Sequence, residues 1–159
     1  LVFAVLVAIS AFQTVTLQES AMEPTYSVSE KFFVNRALYK VSSPKRGDVI
    51  VFKTSASDSA ALHIRRVIGL PGETVQVKDG KIYINGKVYE ENGAYQDMTD
   101  GGLANSAITL ESEEYFVLGD NRNNSEDSRF SDIGNISKKY IVGKVWFTVS
   151  PKNKIGFIK

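Results

Sequence analysis

The segment TVQVKDGKIYINGKVY, residues 74–89, alternates between apolar and polar side chains and is interrupted twice by turn-forming dipeptides. These dipeptides are Asp79-Gly80 and Asn85-Gly86. Both suit two-residue hairpin turns, because glycine accepts a positive φ at little cost. An apolar period of two residues is typical of half-buried strands. The segment therefore predicts a small antiparallel meander made of TVQV, KIYI and KVYE.

Strand patterns recur along most of the chain, in TVTLQ, KFFVNRAL, GDVIVFK, LHIRRVIGL, EYFVLG and IVGKVWFTVS. After Phe12, no long segment has the apolar period of an amphipathic helix. Residues 91–112 are rich in Gly, Asn, Asp and Ser and predict a long surface excursion. Residues 120–137 predict a polar loop. The fold class is therefore mainly β, built from twisted antiparallel sheets, with a small inserted β lobe at about residues 74–112.

The first twelve residues, LVFAVLVAISAF, carry no charged side chain. They are too few to span a bilayer, which takes about 20 residues in a helix. We interpret residues 1–13 as the C-terminal part of a membrane anchor, followed by a single domain over residues 14–159. A buried core helix and the apolar region of a signal peptide are the alternatives.

Composition excludes several kinds of chemistry. The 159-residue chain has no cysteine, which rules out disulfides and thiolate metal sites. His63 is the one histidine, and no carboxylate cluster has the spacing of a metal site, so we expect neither metal nor cofactor. The formal net charge of +1 gives no reason to expect a nucleic-acid partner.

Four segments combine predicted strand ends with closely spaced Gly, Asp, Asn and charged residues. They are SAMEPT at 20–25, RGDVIVF at 46–52, HIRRVIGLPGE at 63–73 and GDNRNNSEDSR at 119–129. In this order, after an apolar N-terminal segment, they closely resemble the type I signal peptidases, membrane-anchored serine proteases that remove signal peptides from exported preproteins. The resemblance covers essentially the whole chain. It implies a conical or barrel-like β core, with the catalytic lobe on the extracytoplasmic side of the cytoplasmic membrane.

The resemblance also implies a Ser nucleophile and a Lys general base, and both positions are changed here. The end of the G-x-S-M-x-P-T motif matches Met22, Pro24 and Thr25, which places the nucleophile position at Ala21. The RVIGLPG stretch, residues 66–72, places the base position at Arg65. A methyl group cannot attack a carbonyl, and a guanidinium does not lose its proton in proteins. We therefore predict that this chain lacks peptidase activity.

Neighbouring residues offer little replacement for this dyad. Ser20 adjoins Ala21, but on an extended backbone its hydroxyl would face away from the substrate. His63 is interpreted as a polar strand residue at the rim of the groove. Glu19 stands where the motif has glycine, and a carboxylate there would oppose the negative charge that develops in an oxyanion site.

The segment GDNRNNSEDSR, residues 119–129, keeps the polar residues that the resemblance implies. In the resemblance, Ser125 is the residue that hydrogen-bonds the Lys amine, and Asp127 pairs with Arg129 to brace the site. A polar turn held by local Asp and Asn hydrogen bonds is the alternative interpretation.

Substrate binding is implied in the same way. The family binds the end of a signal peptide as an added strand, with shallow apolar pockets for small side chains. The matching wall positions are Val15, Leu17, Met22, Tyr26 and Ile64, although the core of a strand would select the same residue types. The implied partners are the signal-peptide region of preproteins and the lipid membrane.

Three hypotheses remain open from the sequence. The chain is a signal peptidase whose dyad was removed deliberately, or a natural non-catalytic relative that acts in binding or assembly, for example of pili or other surface proteins in Gram-positive bacteria. The third is a β-rich binding module with no peptidase ancestry. Only the first two predict that Ala21, Arg65 and Ser125 surround one groove.

Overall fold

The computed structural model describes residues 11–57 and 59–158. Twelve strands account for most of its regular structure, so the predicted mainly β class is confirmed. The strands are β1 Phe12–Thr16, β2 Lys31–Asn35, β3 Val49–Phe52, β4 His63–Gly69, β5 Thr74–Lys78, β6 Lys81–Ile84, β7 Lys87–Val88, β8 Ile108–Thr109, β9 Glu114–Leu118, β10 Ile136–Ser137, β11 Ile141–Ser150 and β12 Gly156–Phe157.

Among the described residues, helical structure is limited to short pieces. One α-helical turn, α1, covers Leu38–Val41. Turns of 3₁₀ helix cover Ser20–Met22, Gly102–Asn105, Lys138–Tyr140 and Lys152–Lys154. No helix among the described residues has the length and apolar character needed to cross a membrane. Most of the predicted anchor, residues 1–10, lies outside the described residues, and β1 begins at Phe12, inside the predicted anchor boundary.

The larger sheet has eight antiparallel strands in the order β1-β2-β11-β3-β4-β9-β10, with β12 also paired to β11. It curls into a half-barrel. The long strand β11 has register shifts between Val145 and Phe147 and between Thr148 and Ser150. Such irregularities bend a strand and increase its twist, which allows the sheet to close around its apolar face.

The smaller sheet has four strands in the order β7-β6-β5-β8. Its first two turns contain Asp79 and Gly80, with φ values of 51° and 74°, and Asn85 and Gly86, with φ values of 50° and 77°. Positive φ at both central residues is the feature of the hairpin turn expected for Asp-Gly and Asn-Gly. The predicted meander of β5, β6 and β7 is therefore confirmed.

Residues 91–112 run mostly over the surface, as the sequence predicts, and most of their side chains are exposed. The sequence does not predict how the segment is anchored. Met98, Ala104 and Leu110 are buried in the core cluster of the smaller sheet, and β8 pairs with β5. These anchors are single apolar residues whose irregular spacing produces no periodic pattern.

Candidate functional site

A cavity of about 550 Å³ lies between the turn that follows β1, strand β4 and the loop that follows β9. Three predicted positions line it: Ala21, Arg65 and Ser125. We call it the site cavity and call residues 119–129 the bracing loop. The structure therefore brings together residues from three distant parts of the chain, although their roles in chemistry stay predictions.

The backbone at Ala21 is a turn of 3₁₀ helix, so the expectation of an extended chain there is wrong. As a result Ser20 does not face away and is part of the cavity lining. The bracing loop holds this turn: the Asn121 backbone N–H donates to the Ala21 carbonyl at 2.9 Å, and its side-chain amide donates to the Ser20 carbonyl at 3.2 Å. The Ser20 hydroxyl accepts a hydrogen bond from Asn124 Nδ2 at 3.2 Å.

Arg65 lies in the middle of β4 and is only 1% exposed. Its Nε donates to the Glu126 carbonyl and its Nη1 to the Ile64 carbonyl, each at 2.8 Å. Nη1 also lies 2.6 Å from Glu19 Oε2. A buried charge requires such partners, because an unpaired ion in a protein interior is strongly unfavourable. The guanidinium at the base position is thus fixed and neutralised by its neighbours.

Glu19 joins Arg65 to His63. Its Oε1 lies 2.8 Å from His63 Nδ1, and the His63 ring stacks on Phe52 with 5.6 Å between ring centres. Burial alone would raise the pKa of the Glu19 carboxyl, but the His63 hydrogen bond and the Arg65 charge outweigh it and lower the pKa below its ordinary value of 4.5. Glu19 is therefore held as a carboxylate beside Ala21.

This pairing was missed by the sequence interpretation, which treated Glu19 only as an obstacle to an oxyanion site. It interpreted His63 as a polar strand residue at the rim of the groove, and the structure adds that His63 is half-buried and that its Nδ1 contacts Glu19 Oε1. One signal was available: Glu19 and Arg65 both depart from the motifs of the resemblance, and they carry opposite charges.

The bracing loop is organised around a buried ion pair. Arg129 Nε donates to Asp127 Oδ1 at 2.8 Å, and Arg129 Nη2 donates to Oδ2 at 2.9 Å. The Asp127 carboxylate also accepts hydrogen bonds from the Gly119 N–H at 3.1 Å and from the Arg129 backbone N–H at 3.3 Å. The Arg129 guanidinium also donates to the carbonyls of Asp100 and Arg122, and the bond to Asp100 connects the loop to the segment between β7 and β8.

Ser125 occupies the centre of this loop beside Gly119. A methyl group at Gly119 would clash with Ser125 Oγ and with the Ala21 carbonyl, so this close approach requires glycine. Among the described residues, the buried Ser125 Oγ has no hydrogen-bond partner. Its position against the Ala21 backbone leaves the hydroxyl available to a group that enters the site cavity.

The five predicted wall residues lie elsewhere. Each is at most 8% exposed, and all belong to one core cluster with Phe32, Val34 and Val145. None of them lines the site cavity. They are Val15, Leu17, Met22, Tyr26 and Ile64, and their role in substrate binding stays a prediction. Across residues 11–57 and 59–158, no group of three or more His, Asp and Glu side chains is placed to hold a metal ion.

Comparison with known proteins gives a family match over nearly the whole chain. Residues 1–150 match the family described as signal peptidase, peptidase S26. A signal peptidase I of Bacillus amyloliquefaciens is 37% identical over 97% of this chain and 84% of its own length. A signal peptidase I of Leptolyngbya laminosa is 38% identical over 88% of this chain and 70% of its own length.

The chain spans 65% of the length of another relative, a probable signal peptidase I-2 of Synechocystis sp., with 32% identity. Among solved structures, the crystal structure of a signal peptidase I from Enterococcus faecalis V583 is similar, with a TM-score of 0.53 and 31% identity over 66% of this chain and 98% of that one. The hypothesis of a binding module without peptidase ancestry is therefore wrong. The chain belongs to the signal peptidase family.

Proposed function

We propose that this chain binds the signal-peptide region of exported preproteins in the site cavity without cleaving it by serine-lysine chemistry. The observation that carries the proposal is the Glu19–Arg65 ion pair beside Ala21. It fills the place of the base with a fixed, neutralised cation, next to a position that has no hydroxyl.

The absence of cleavage follows from acid-base chemistry. Hydrolysis by this family's route needs a hydroxyl at position 21 and a neutral amine at position 65 to take its proton. An arginine keeps its proton in proteins, and the adjacent Glu19 carboxylate favours the charged form further. The chain therefore has neither a hydroxyl at position 21 for the attack nor a neutral amine at position 65 for the proton transfer.

Glu19 favours a natural non-catalytic relative over deliberate removal of the dyad. An exchange of Lys for Arg made to inactivate an enzyme would leave the family's glycine at position 19. Here that position holds the Glu19 carboxylate, which pairs with Arg65 through Oε2 and contacts His63 Nδ1 through Oε1. Matched charges at two motif positions are the expected result of selection for a stable site without activity. A role in assembly of surface proteins such as pili is consistent with a site that binds and does not cut.

The proposal places the chain at the cytoplasmic membrane. Residues 1–13 would form the end of a single anchor, and the β domain over residues 14–159 would lie on the extracytoplasmic side. The support is the uncharged apolar sequence before β1 and membership of the signal peptidase family.

The test is cleavage of a preprotein in detergent by the unmodified chain and by reverted variants. We expect no cleavage by the unmodified chain, by Ala21→Ser or by Arg65→Lys. The double reversion should be only weakly active, because the Glu19 carboxylate would keep the new lysine protonated. The triple variant Glu19→Gly/Ala21→Ser/Arg65→Lys should be the most active. Cleavage by the unmodified chain would refute the proposal.

Binding needs a separate measurement. Fluorescence anisotropy with a labelled signal peptide should detect binding to the unmodified chain in detergent. Asn124→Trp adds a large ring to an exposed position that lines the site cavity and should weaken binding severalfold. Asn92→Trp, at an exposed position on a different cavity, is the matched control and should bind normally. Equal binding by both variants would place the peptide elsewhere.

A further inference from the structure

A second cleft, of about 620 Å³, lies away from the site cavity and shares none of its lining residues. It is found at one end of three neighbouring strands of the larger sheet, where β2 and β3 end and β11 begins. We call it the basic cleft, because its charged lining residues are Arg36, Lys40, Lys53, Lys138 and Lys139. No acidic side chain of residues 11–57 or 59–158 lines it.

The charges of the basic cleft differ from those beside the site cavity. The arginines near the site cavity, Arg65 and Arg129, are buried and paired with carboxylates. Arg36, Lys40 and Lys139 are exposed, and none of them forms an ion pair with a described residue. A concave surface lined by one sign of charge concentrates its potential and attracts counter-ions. The basic cleft therefore favours an anionic ligand.

Hydrogen-bond donors in the cleft suit the oxygens of a phosphate. The Lys138 ammonium is held toward the Ser43 hydroxyl at 3.2 Å, and the Lys139 ammonium lies 4.9 Å from the centre of the Tyr140 ring. Arg36 contributes a planar guanidinium, which can bind two phosphate oxygens at once. Two tyrosines, Tyr39 and Tyr140, complete the wall beside the cations.

The basic cleft lies next to the apolar N-terminal sequence. The Arg36 backbone N–H donates to the Ala11 carbonyl at 2.8 Å, and Phe12 pairs with Asn35. The cleft is thus adjacent to the point where the apolar N-terminal sequence joins the sheet.

Exposed aromatic rings cover the same part of the sheet. Phe12 stacks on Trp146, which is 42% exposed, and Trp146 contacts Phe157, which is 67% exposed. Aromatic rings beside basic side chains are suited to the boundary between lipid and water.

We propose that the basic cleft binds the phosphate of an anionic phospholipid headgroup. This contact orients the β domain on the membrane surface and is independent of the function proposed for the site cavity. Each Lys or Arg close to an anionic bilayer strengthens binding about fivefold. The loss of three such residues therefore weakens vesicle binding enough to be measured by co-flotation.

The test is co-flotation of the full chain with vesicles of phosphatidylcholine alone and of phosphatidylcholine mixed with phosphatidylglycerol. The triple variant Arg36→Gln/Lys40→Gln/Lys139→Gln should bind the anionic vesicles about tenfold or more weakly than the unmodified chain. The matched control is Lys78→Gln/Lys81→Gln/Lys87→Gln, which removes the same charge from exposed positions on the smaller sheet. The control should lose less than about threefold, because its charges lie outside the basic cleft.

Three further results would overturn the proposal. If both triple variants lose binding equally, the attraction comes from net charge and not from the cleft. If inorganic phosphate displaces the chain from anionic vesicles no better than chloride at the same ionic strength, screening of charge explains the attraction and the cleft does not recognise phosphate. Equal binding of the unmodified chain to neutral and anionic vesicles would also contradict it.

Discussion

The two sides of the site cavity differ in what they retain. The bracing loop has Ser125, Asp127 and Arg129 as the family resemblance implies, and the last two form a buried ion pair. The opposite side has Ala21 and Arg65 at the positions where the resemblance implies a Ser and a Lys. The bonds of the loop go mostly to its own residues and to backbone atoms, for example from Asn121 to the Ala21 carbonyl. The bonds that hold the bracing loop therefore depend little on which side chains occupy positions 21 and 65.

The largest effect is expected on the side that is retained. Asp127→Asn leaves the buried Arg129 guanidinium without its charge partner and should lower the free energy of unfolding by about 3–5 kcal/mol. Urea denaturation followed by tryptophan fluorescence measures it. Asp132→Asn changes an exposed carboxyl at the edge of the site cavity and is the control, with little expected effect. Similar losses from both changes would show that the ion pair does not hold the loop.

A smaller effect is expected where the two sides touch. Gly119→Ala forces the bracing loop away from the Ala21 carbonyl and should cost about 1–3 kcal/mol of stability. Gly156→Ala is the control, since no atom lies within 4 Å of the added methyl group and φ there is not positive. The same urea experiment compares them. An unchanged stability of Gly119→Ala would mean that the two sides are not in firm contact.

A still smaller effect is expected on the altered side. Glu19→Gln removes the charge partner of Arg65, but the guanidinium keeps two backbone carbonyl acceptors. Because the Glu19 side chain is one-third exposed, solvent screens the pair, and we expect a loss of about 1–2 kcal/mol. Glu126→Gln, an exposed change that leaves the Glu126 carbonyl in place, should have almost no effect. A higher free energy of unfolding in Glu19→Gln would show that the Glu19–Arg65 ion pair does not stabilise the fold.

The smallest effect is a pH dependence of the same pair. The Glu19 pKa is lower in the folded state than its ordinary value of 4.5, so the unfolded chain binds the proton more readily. The stabilisation from Glu19 is present above that value and is lost as the pH falls through the folded pKa. The difference in unfolding free energy between the unmodified chain and Glu19→Gln should thus shrink as the pH falls below 4.5. Urea titrations over this range measure it, and a difference that grows on acidification would oppose the assigned sign.

Much of the fold could be predicted, because most strands have a clear local sequence pattern. Alternation and the turn dipeptides at Asp79-Gly80 and Asn85-Gly86 depend only on neighbouring residues. Met98, Ala104 and Leu110 were missed because each is a single apolar anchor within a polar stretch. Their burial depends on the sheet that they cover, which no local pattern records.

That Ala21, Arg65 and Ser125 lie around one cavity could be predicted, but the contacts in that cavity could not. The family resemblance implies that these three residues meet, and the fold gathers them there. The Glu19–Arg65 pair depends on how the turn after β1 is oriented toward β4, a consequence of long-range packing. The 3₁₀ turn that brings Ser20 into the lining likewise has no strong local signal.

The hydrogen bond from the Asn121 backbone to the Ala21 carbonyl uses no side-chain atom from either residue. Any amino acid small enough for position 21 is therefore presented at the same place in the cavity. A lineage with this fold can therefore exchange one small residue for another at position 21 while this backbone contact persists.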